Sequence, residues 1–421
     1  MIAIIKVFWI FCCFNLALLY ISSKHNKTIA HLMLATLLVN IAYPLYIDLN
    51  KEYTVYITSM AIVLILYNVI ISTYNRDSFP SDFSLDISKE MNIVTVSLAM
   101  IYVITAFQLL VLKIYRYETY AYIFFSYVVV QLIIVFFYNI RNKFERDTLI
   151  TFISFLSLGN SFLGFYEAFN GVYRVGGLVG YCNGAGNLGA ILHAVLLYKF
   201  WNNKSLYNLA VLVLNLEFTY LTYTRTGYIA IFVETVIFVL FLIFKDSDKK
   251  AVVKKLFFAG ISIAAVVSLY AVYIDDIIGM YNEMFNYRGS TQSMRFVQFQ
   301  RVFKVFFESP FIGIGAGQYA HYYLMTHFIS DFDIHSQWLS IITEQGLLVF
   351  ISYAFFYTAV FLMLFKRCRG EDLWFAIAIF AGNSIAINFN VNQYYGINIY
   401  LFYLIVCGFI FSSKVKEKKS D

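Results

Sequence analysis

The sequence predicts an all-α polytopic membrane protein of about 12–13 transmembrane helices with one large extracytoplasmic loop. Three observations predict it. Hydrophobic residues fill 61% of 421 positions and charged residues only 13%, more apolar surface than one water-soluble domain can bury. Apolar runs of about twenty residues recur between short polar breaks, the length a helix needs to cross a bilayer. Only three prolines occur, so most helices should run unbroken.

The expected spans lie at 2–21, 29–47, 54–74, 92–112, 120–140, 149–166, 180–198, 207–222, 227–244, 256–274, 336–365, 373–389 and 394–412. The first resembles a signal peptide, but Lys24, His25 and Lys27 follow it instead of a small-residue cleavage site, so it reads as an uncleaved span. Alternate connections divide Lys and Arg unequally, 21 against nine with Lys6 apart, and the richer set marks the cytoplasmic side. The chain then divides into an N-terminal bundle of about ten spans (1–274), an extracytoplasmic loop (275–335) with an amphipathic helix at 291–308, C-terminal spans (336–412) and a basic cytoplasmic tail (413–421). A net charge of +6 distributed this way anchors a leaflet and is no nucleic-acid footprint. Five cysteines, at 12, 13, 182, 368 and 407, fall in or beside apolar segments without paired spacing and read as packing residues.

On the outer side, single arginines stand in apolar or glycine-rich settings. Arg174-Val-Gly-Gly leads into Tyr181-Cys-Asn183-Gly-Ala-Gly-Asn187-Leu-Gly189. The Gly184-x-Gly186-x-x-Gly189 spacing matches a dinucleotide fingerprint, but it follows no strand and lies in a membrane helix. Small residues letting helices approach closely explain it; a locally unwound helix mouth, with Asn183 and Asn187 meeting a polar substrate, is the functional reading. Tyr223-Thr-Arg225-Thr-Gly is a minimal turn between two spans. Glu217 and Glu234 lie inside the flanking spans, and intramembrane carboxylates need a partner or a wet cavity. A glutamate–arginine cluster at the mouth of a polar cavity accounts for Glu217, Arg225 and Glu234 together, whereas His193 reads as a hydrogen-bonded packing residue.

From Thr291 to Glu308 the spacing is helical. At 100° per residue, Phe296, Phe299, Val302, Phe303, Phe306 and Phe307 share a sector with Arg295, while Gln298, Gln300, Arg301, Lys304 and Glu308 occupy the other side. Arg295 then projects from the apolar face, towards the protein body or the membrane surface, and needs an anion, a carboxylate or a phosphate, whereas Arg301 and Lys304 read as solvated. Gly313, Gly315 and Gly317 form a turn after Pro310. Asp331-x-Asp333-x-His335 alternates, so on an extended strand the three side chains share a face, a pattern open to a divalent cation or to two solvated aspartates. His335 opens a helix expected to run to Phe365. Along it Gly346 falls below the histidine on one face, and Glu344 on the opposite face. A histidine at a helix mouth can take a proton from a hydroxyl.

These residues resemble the bacterial O-antigen ligase and polymerase family, membrane transferases of the glycosyltransferase-C type. Four pieces carry the resemblance, between Arg174 and Leu348: Arg174-Val-Gly-Gly with its Asn/Gly helix; Thr222-Tyr-Thr-Arg225-Thr-Gly; Ser293-Met-Arg295 leading to Glu308-Ser-Pro310-Phe-Ile-Gly-Ile-Gly315; and His335-Ser336 with Gly346. Val349 stands where ligases carry Gly, Thr or Tyr. The resemblance implies a donor glycan on undecaprenyl pyrophosphate. The acceptor is a sugar of lipid A-core for a ligase, or the end of a growing lipid-linked glycan for a polymerase. It implies that Arg225 and Arg295 stabilise the pyrophosphate leaving group, with Arg174 in support, and that His335 orients or deprotonates the acceptor hydroxyl. No cofactor or metal is then required, and the setting is the bacterial inner membrane with its lipids. The alternative is a lipid-linked oligosaccharide flippase, which would distribute its charges through the bilayer depth.

Overall fold

The computed structural model describes residues 87–113, 119, 122–141, 146–245, 291–368, 370–389 and 396–412. The spans expected before residue 87 and at 256–274, with the basic tail, lie outside them. The described residues form twelve α-helices with no strand: α1 (Ser88–Leu112), α2 (Val129–Asn139), α3 (Arg146–Phe169), α4 (Cys182–Asn202), α5 (Leu206–Leu221), α6 (Arg225–Phe244), α7 (Thr291–Glu308), α8 (Tyr319–His327), α9 (Gln337–Ser340), α10 (Gly346–Arg367), α11 (Leu373–Phe389) and α12 (Gly396–Phe411). α1, α3, α6 and the stretch Gln337–Arg367 are long and apolar enough to cross a membrane, and α2, α5, α11 and α12 are shorter apolar helices. The protein is an all-α polytopic membrane protein, as its composition predicts.

Helix α4 lies at the centre, buried continuously from Gly184 to Tyr198. Its glycines make that possible. A Cβ on Gly186 would overlap Thr224 before α6, and one on Gly189 would overlap Thr219 of α5. On the facing helix, a Cβ on Gly227 would lie 2.7 Å from the Gly186 carbonyl oxygen. Asn215 Nδ2 then reaches the Gly189 carbonyl at 2.9 Å. The Gly184-x-Gly186-x-x-Gly189 pattern is therefore a helix-packing surface, the use of small residues that membrane interiors favour. At the periphery α1 turns Val96, Val103 and Leu110 outwards at seven-residue spacing, the stripe of a helix against lipid.

Antiparallel pairing defines two ends of the bundle. α6 meets α11 with Glu234 beside Gly382 and Phe238 on Trp374, ring centroids 4.7 Å apart. α10 meets α11 with Phe361 on Phe380 at 5.1 Å and Asn383 Nδ2 donating to Tyr357 Oη at 3.1 Å. Both partners run against α11, so Arg225 and His335 lie at the same end of the bundle, level with the C-terminus of α11. The opposite end is basic. There Arg146 pairs with Asp372 at 2.8 Å and Lys366 with Glu90 at 3.0 Å, and Arg367 Nε donates to the Ile410 carbonyl at 2.7 Å. Lys204 and Lys245 lie over the Trp201 ring. Of the cysteines described, Cys368 and Cys407 are buried and Cys182 is half-buried; none of these three is bridged.

Candidate functional site

Two backbone segments build the end that carries Arg225 and His335. The first runs from α3 to α4. Glu167 accepts from the Gly176 and Gly177 amides at 2.7 and 2.9 Å, and Asn160 Oδ1 accepts from Leu178 N at 2.9 Å. Gly177 has φ +50, and a Cβ there would overlap Asn160 and Phe218, so this turn requires glycine. Arg174 then reaches across: Nε donates to the Thr222 carbonyl at 3.1 Å, and Nη2 to Asn183 Oδ1 at 2.9 Å and the Tyr223 carbonyl at 3.4 Å. Those carbonyls belong to the α5–α6 turn. Tyr223 sits in the left-handed region at φ 49, uncommon for a side chain of its size, and its ring stacks on Tyr173 at 5.2 Å. Arg174 thus fixes the backbone that presents half-buried Arg225 at the first position of α6, where the helix dipole adds positive potential.

The second segment is the glycine turn after Pro310, with Gly313, Gly315 and Gly317 at φ 73, 102 and 66. Glu344, buried to 1% exposure, gathers it. Its carboxylate accepts from Gly317 N at 3.0 Å, Tyr319 N at 2.9 Å and Ser340 Oγ at 2.6 Å, while its carbonyl accepts from Gly315 N at 2.7 Å. Helix α1 adds Gln108, whose Nε2 donates to the Ile312 and Gln345 carbonyls. Thr119 donates to the Ala316 carbonyl at 2.8 Å.

This arrangement corrects the expected regular helix from His335 to Phe365. The stretch opens with α9, widens into a five-residue π turn at Ile341–Gln345, and breaks at Gly346 with φ 80 and ψ 171 before α10 continues. The glycine turn enters at that break. Leu347 N donates to the Pro310 carbonyl at 2.9 Å, and a Cβ on Gly346 would overlap the Phe311 backbone. Phasing by a regular helix therefore does not carry from His335 to Gly346, while Glu344 bonds to Gly317, Tyr319 and Ser340. Sequence reasoning missed Glu344 as a structural anchor, although a lone carboxylate within an apolar run was the signal.

Helix α7 packs along one edge of its expected apolar sector. Gln298, Val302 and Val305 are buried, whereas Phe303 and Phe307 are exposed. An apolar face in a membrane protein has lipid as well as protein available, so hydrophobicity alone did not identify the packed side. Gln298 Nε2 donates to the Phe332 and Asp333 carbonyls at 2.8 and 3.1 Å, and its Oε1 accepts from His335 N at 3.4 Å. It holds the backbone that delivers half-buried His335. Arg301, expected in water, pairs with Asp331 at 3.3 Å. Asp331 also accepts from Tyr319 Oη at 2.9 Å; burial, then that bond, raise the Tyr319 pKa. Asp331, Asp333 and His335 do not converge into a metal-ligating group among the described residues. The Arg295 side chain lies outside the described residues.

The expected Glu217–Arg225–Glu234 cluster is not what the helices form. Glu217 is on the exposed side of α5. Glu234 is buried and meets His193 Nδ1 at 2.8 Å, about 14 Å along α6 from Arg225 by the helical rise. Its carboxylate fits against Gly382 of α11, so α4, α6 and α11 share this pair below the mouth of the bundle. Asn187 is likewise fully buried and accepts from Thr226 Oγ1 at 3.4 Å. Asn183, in the first turn of α4, is the ligand of Arg174. The helix is not unwound at either asparagine.

The all-α membrane bundle thus holds the Arg174 and Arg225 segments and the glycine turn at one end. Residues 210–354 match the family model described as O-antigen ligase, a match that supports the resemblance to the O-antigen ligase and polymerase family. The matched segment contains Arg225, Arg295, His335, Glu344 and Gly346, with O-antigen ligase-type glycosyl transfer as the activity it supports. No curated protein matches the chain.

Proposed function

We propose that this protein transfers a glycan from a lipid-borne diphosphate, undecaprenyl pyrophosphate, to a sugar hydroxyl at the extracytoplasmic face of the bacterial inner membrane. The observation that carries the reading is that the family match spans Arg225 and His335, which the bundle brings to one end, opposite a basic end suited to the cytoplasmic leaflet. The acceptor is a sugar of lipid A-core or the terminus of a growing lipid-linked glycan.

In this mechanism the His335 imidazole accepts the acceptor hydroxyl proton. The oxygen attacks the anomeric carbon, and the bond from that carbon to the diphosphate oxygen breaks. Arg225 and Arg295 stabilise the charge developing on the diphosphate, the task for which planar guanidinium groups are suited. Arg174 and Asn183 position the Arg225 turn, and Gln298 positions His335. Asn187, Glu217 and Glu234 have no part in the transfer step. The arginines take the electrostatic role a divalent cation would otherwise fill, so transfer should persist in EDTA. The test is glycan transfer by Arg225→Ala, Arg295→Ala and His335→Ala variants that insert at parental levels. Loss of transfer in each is expected; a parental glycan ladder from all three would overturn the mechanism.

A further inference from the structure

Helix α7 has three sectors. Setting Phe303 at zero and taking 100° per residue, Phe299, Phe303, Phe306 and Phe307 fall within about 60° of it. Gln300, Lys304 and Glu308 follow between about 60° and 140°. The buried residues Gln298, Val302 and Val305 complete the turn. Phe303 and Phe307 are 50% and 73% exposed, and the ridge continues in Phe311 at 62%. Isolated exposed phenylalanines need no explanation, but a continuous ridge on one side of a helix marks an interaction surface.

Its location identifies the partner. The Phe311 backbone packs at Gly346, where α10 begins, and Pro310 is bonded to Leu347. From there α10 presents Leu348, Ile351 and Phe355 outwards at three- and four-residue spacing, the lipid-facing strip of a span. The ridge therefore leaves the bundle where a lipid-facing strip begins, with a polar sector beside it containing Lys304, a side chain able to reach headgroups.

We propose that Phe303, Phe307 and Phe311 are seated in the headgroup–acyl boundary of the bilayer, holding α7 as an interfacial helix with its polar sector in water. Gln298 on the same helix holds the backbone before His335, so the depth of the ridge sets the level of His335 against a lipid-borne substrate. The inference rests on the membrane placement and not on the reaction, so it stands or falls apart from the variants above.

The test uses the full chain in phosphatidylcholine nanodiscs, with and without brominated acyl chains. Phe307→Trp and Lys304→Trp are each compared with the parent, whose four tryptophans set the background. The fluorescence added at 307 should be quenched several-fold more by brominated lipid than that added at 304, and should resist aqueous iodide. Phe311→Trp provides an independent reading of the same ridge. Iodide quenching of 307 equal to that of 304 would show a water-facing ridge. Shielding of 307 from both quenchers would show a ridge covered by protein, a second copy included. Either result overturns the proposal.

Discussion

The segment joining α3 to α4 and the glycine turn ahead of α8 solve one problem with the same two parts. In each, a carboxylate collects backbone amides: Glu167 takes Gly176 and Gly177, and Glu344 takes Gly317 and Tyr319. In each, a long donor collects carbonyls: Arg174 takes Thr222 and Tyr223, and Gln108 takes Ile312 and Gln345. The difference is depth. Glu344 is fully buried, whereas Glu167 is half-buried and water can replace it in part. An amide left without an acceptor costs its full desolvation only where water cannot reach it. The two anchors should therefore differ in how much stability they carry, although both shape the same end of the bundle.

The largest expected effect breaks the deeper anchor. Glu344→Ala strips acceptors from two amides and from the Ser340 hydroxyl, at about 1–3 kcal/mol for each buried group. A marked fall in the thermal midpoint of the purified protein is expected; an unchanged midpoint would mean that the glycine turn is held by other contacts. Gly346→Ala comes next. It forces a side chain into φ 80 and into the Phe311 backbone, so the turn should undock, read as faster protease cleavage near residues 309–318. Arg174→Lys retains the charge but loses the planar fork that reaches two carbonyls and Asn183. Insertion should be normal and transfer lower by roughly tenfold, equivalent to about 1.4 kcal/mol of transition-state positioning. Glu167→Gln should be mildest, about 1 kcal/mol of stability or less because the site is open to solvent. A fall as large as that for Glu344→Ala would remove the distinction between the two anchors.

Much of the fold was legible because it depends on run length and on small residues. Apolar runs marked the described spans, and the Gly184–Gly189 helix was readable as a close-packing surface. The candidate site was legible in its residue types and less so in their partners. Arg174 was recognised, but nothing in its local spacing shows that it binds carbonyls almost fifty residues away. Glu234 was flagged as a costly intramembrane carboxylate, yet its partner His193 belongs to another helix and shares no spacing with it. Phase arguments were limited in two places for physical reasons. A π turn and a left-handed glycine reset the register between His335 and α10. On α7, the expected apolar sector is divided, Val302 buried and Phe303 and Phe307 exposed, and Gln298-x-x-x-Val302-x-x-Val305 was the periodic signal for the packed side.

The central claim is that this end of the bundle cleaves a lipid-linked glycan and passes it to an acceptor. It is tested most directly with purified protein in vesicles containing a polyprenyl-diphosphate glycan and an acceptor sugar lipid, by measuring glycosylated acceptor and released polyprenyl diphosphate together. The account predicts that both appear in equal amounts and that His335→Ala abolishes both. Intact lipid-linked glycan moving between leaflets with no diphosphate released would contradict it and identify a transporter instead.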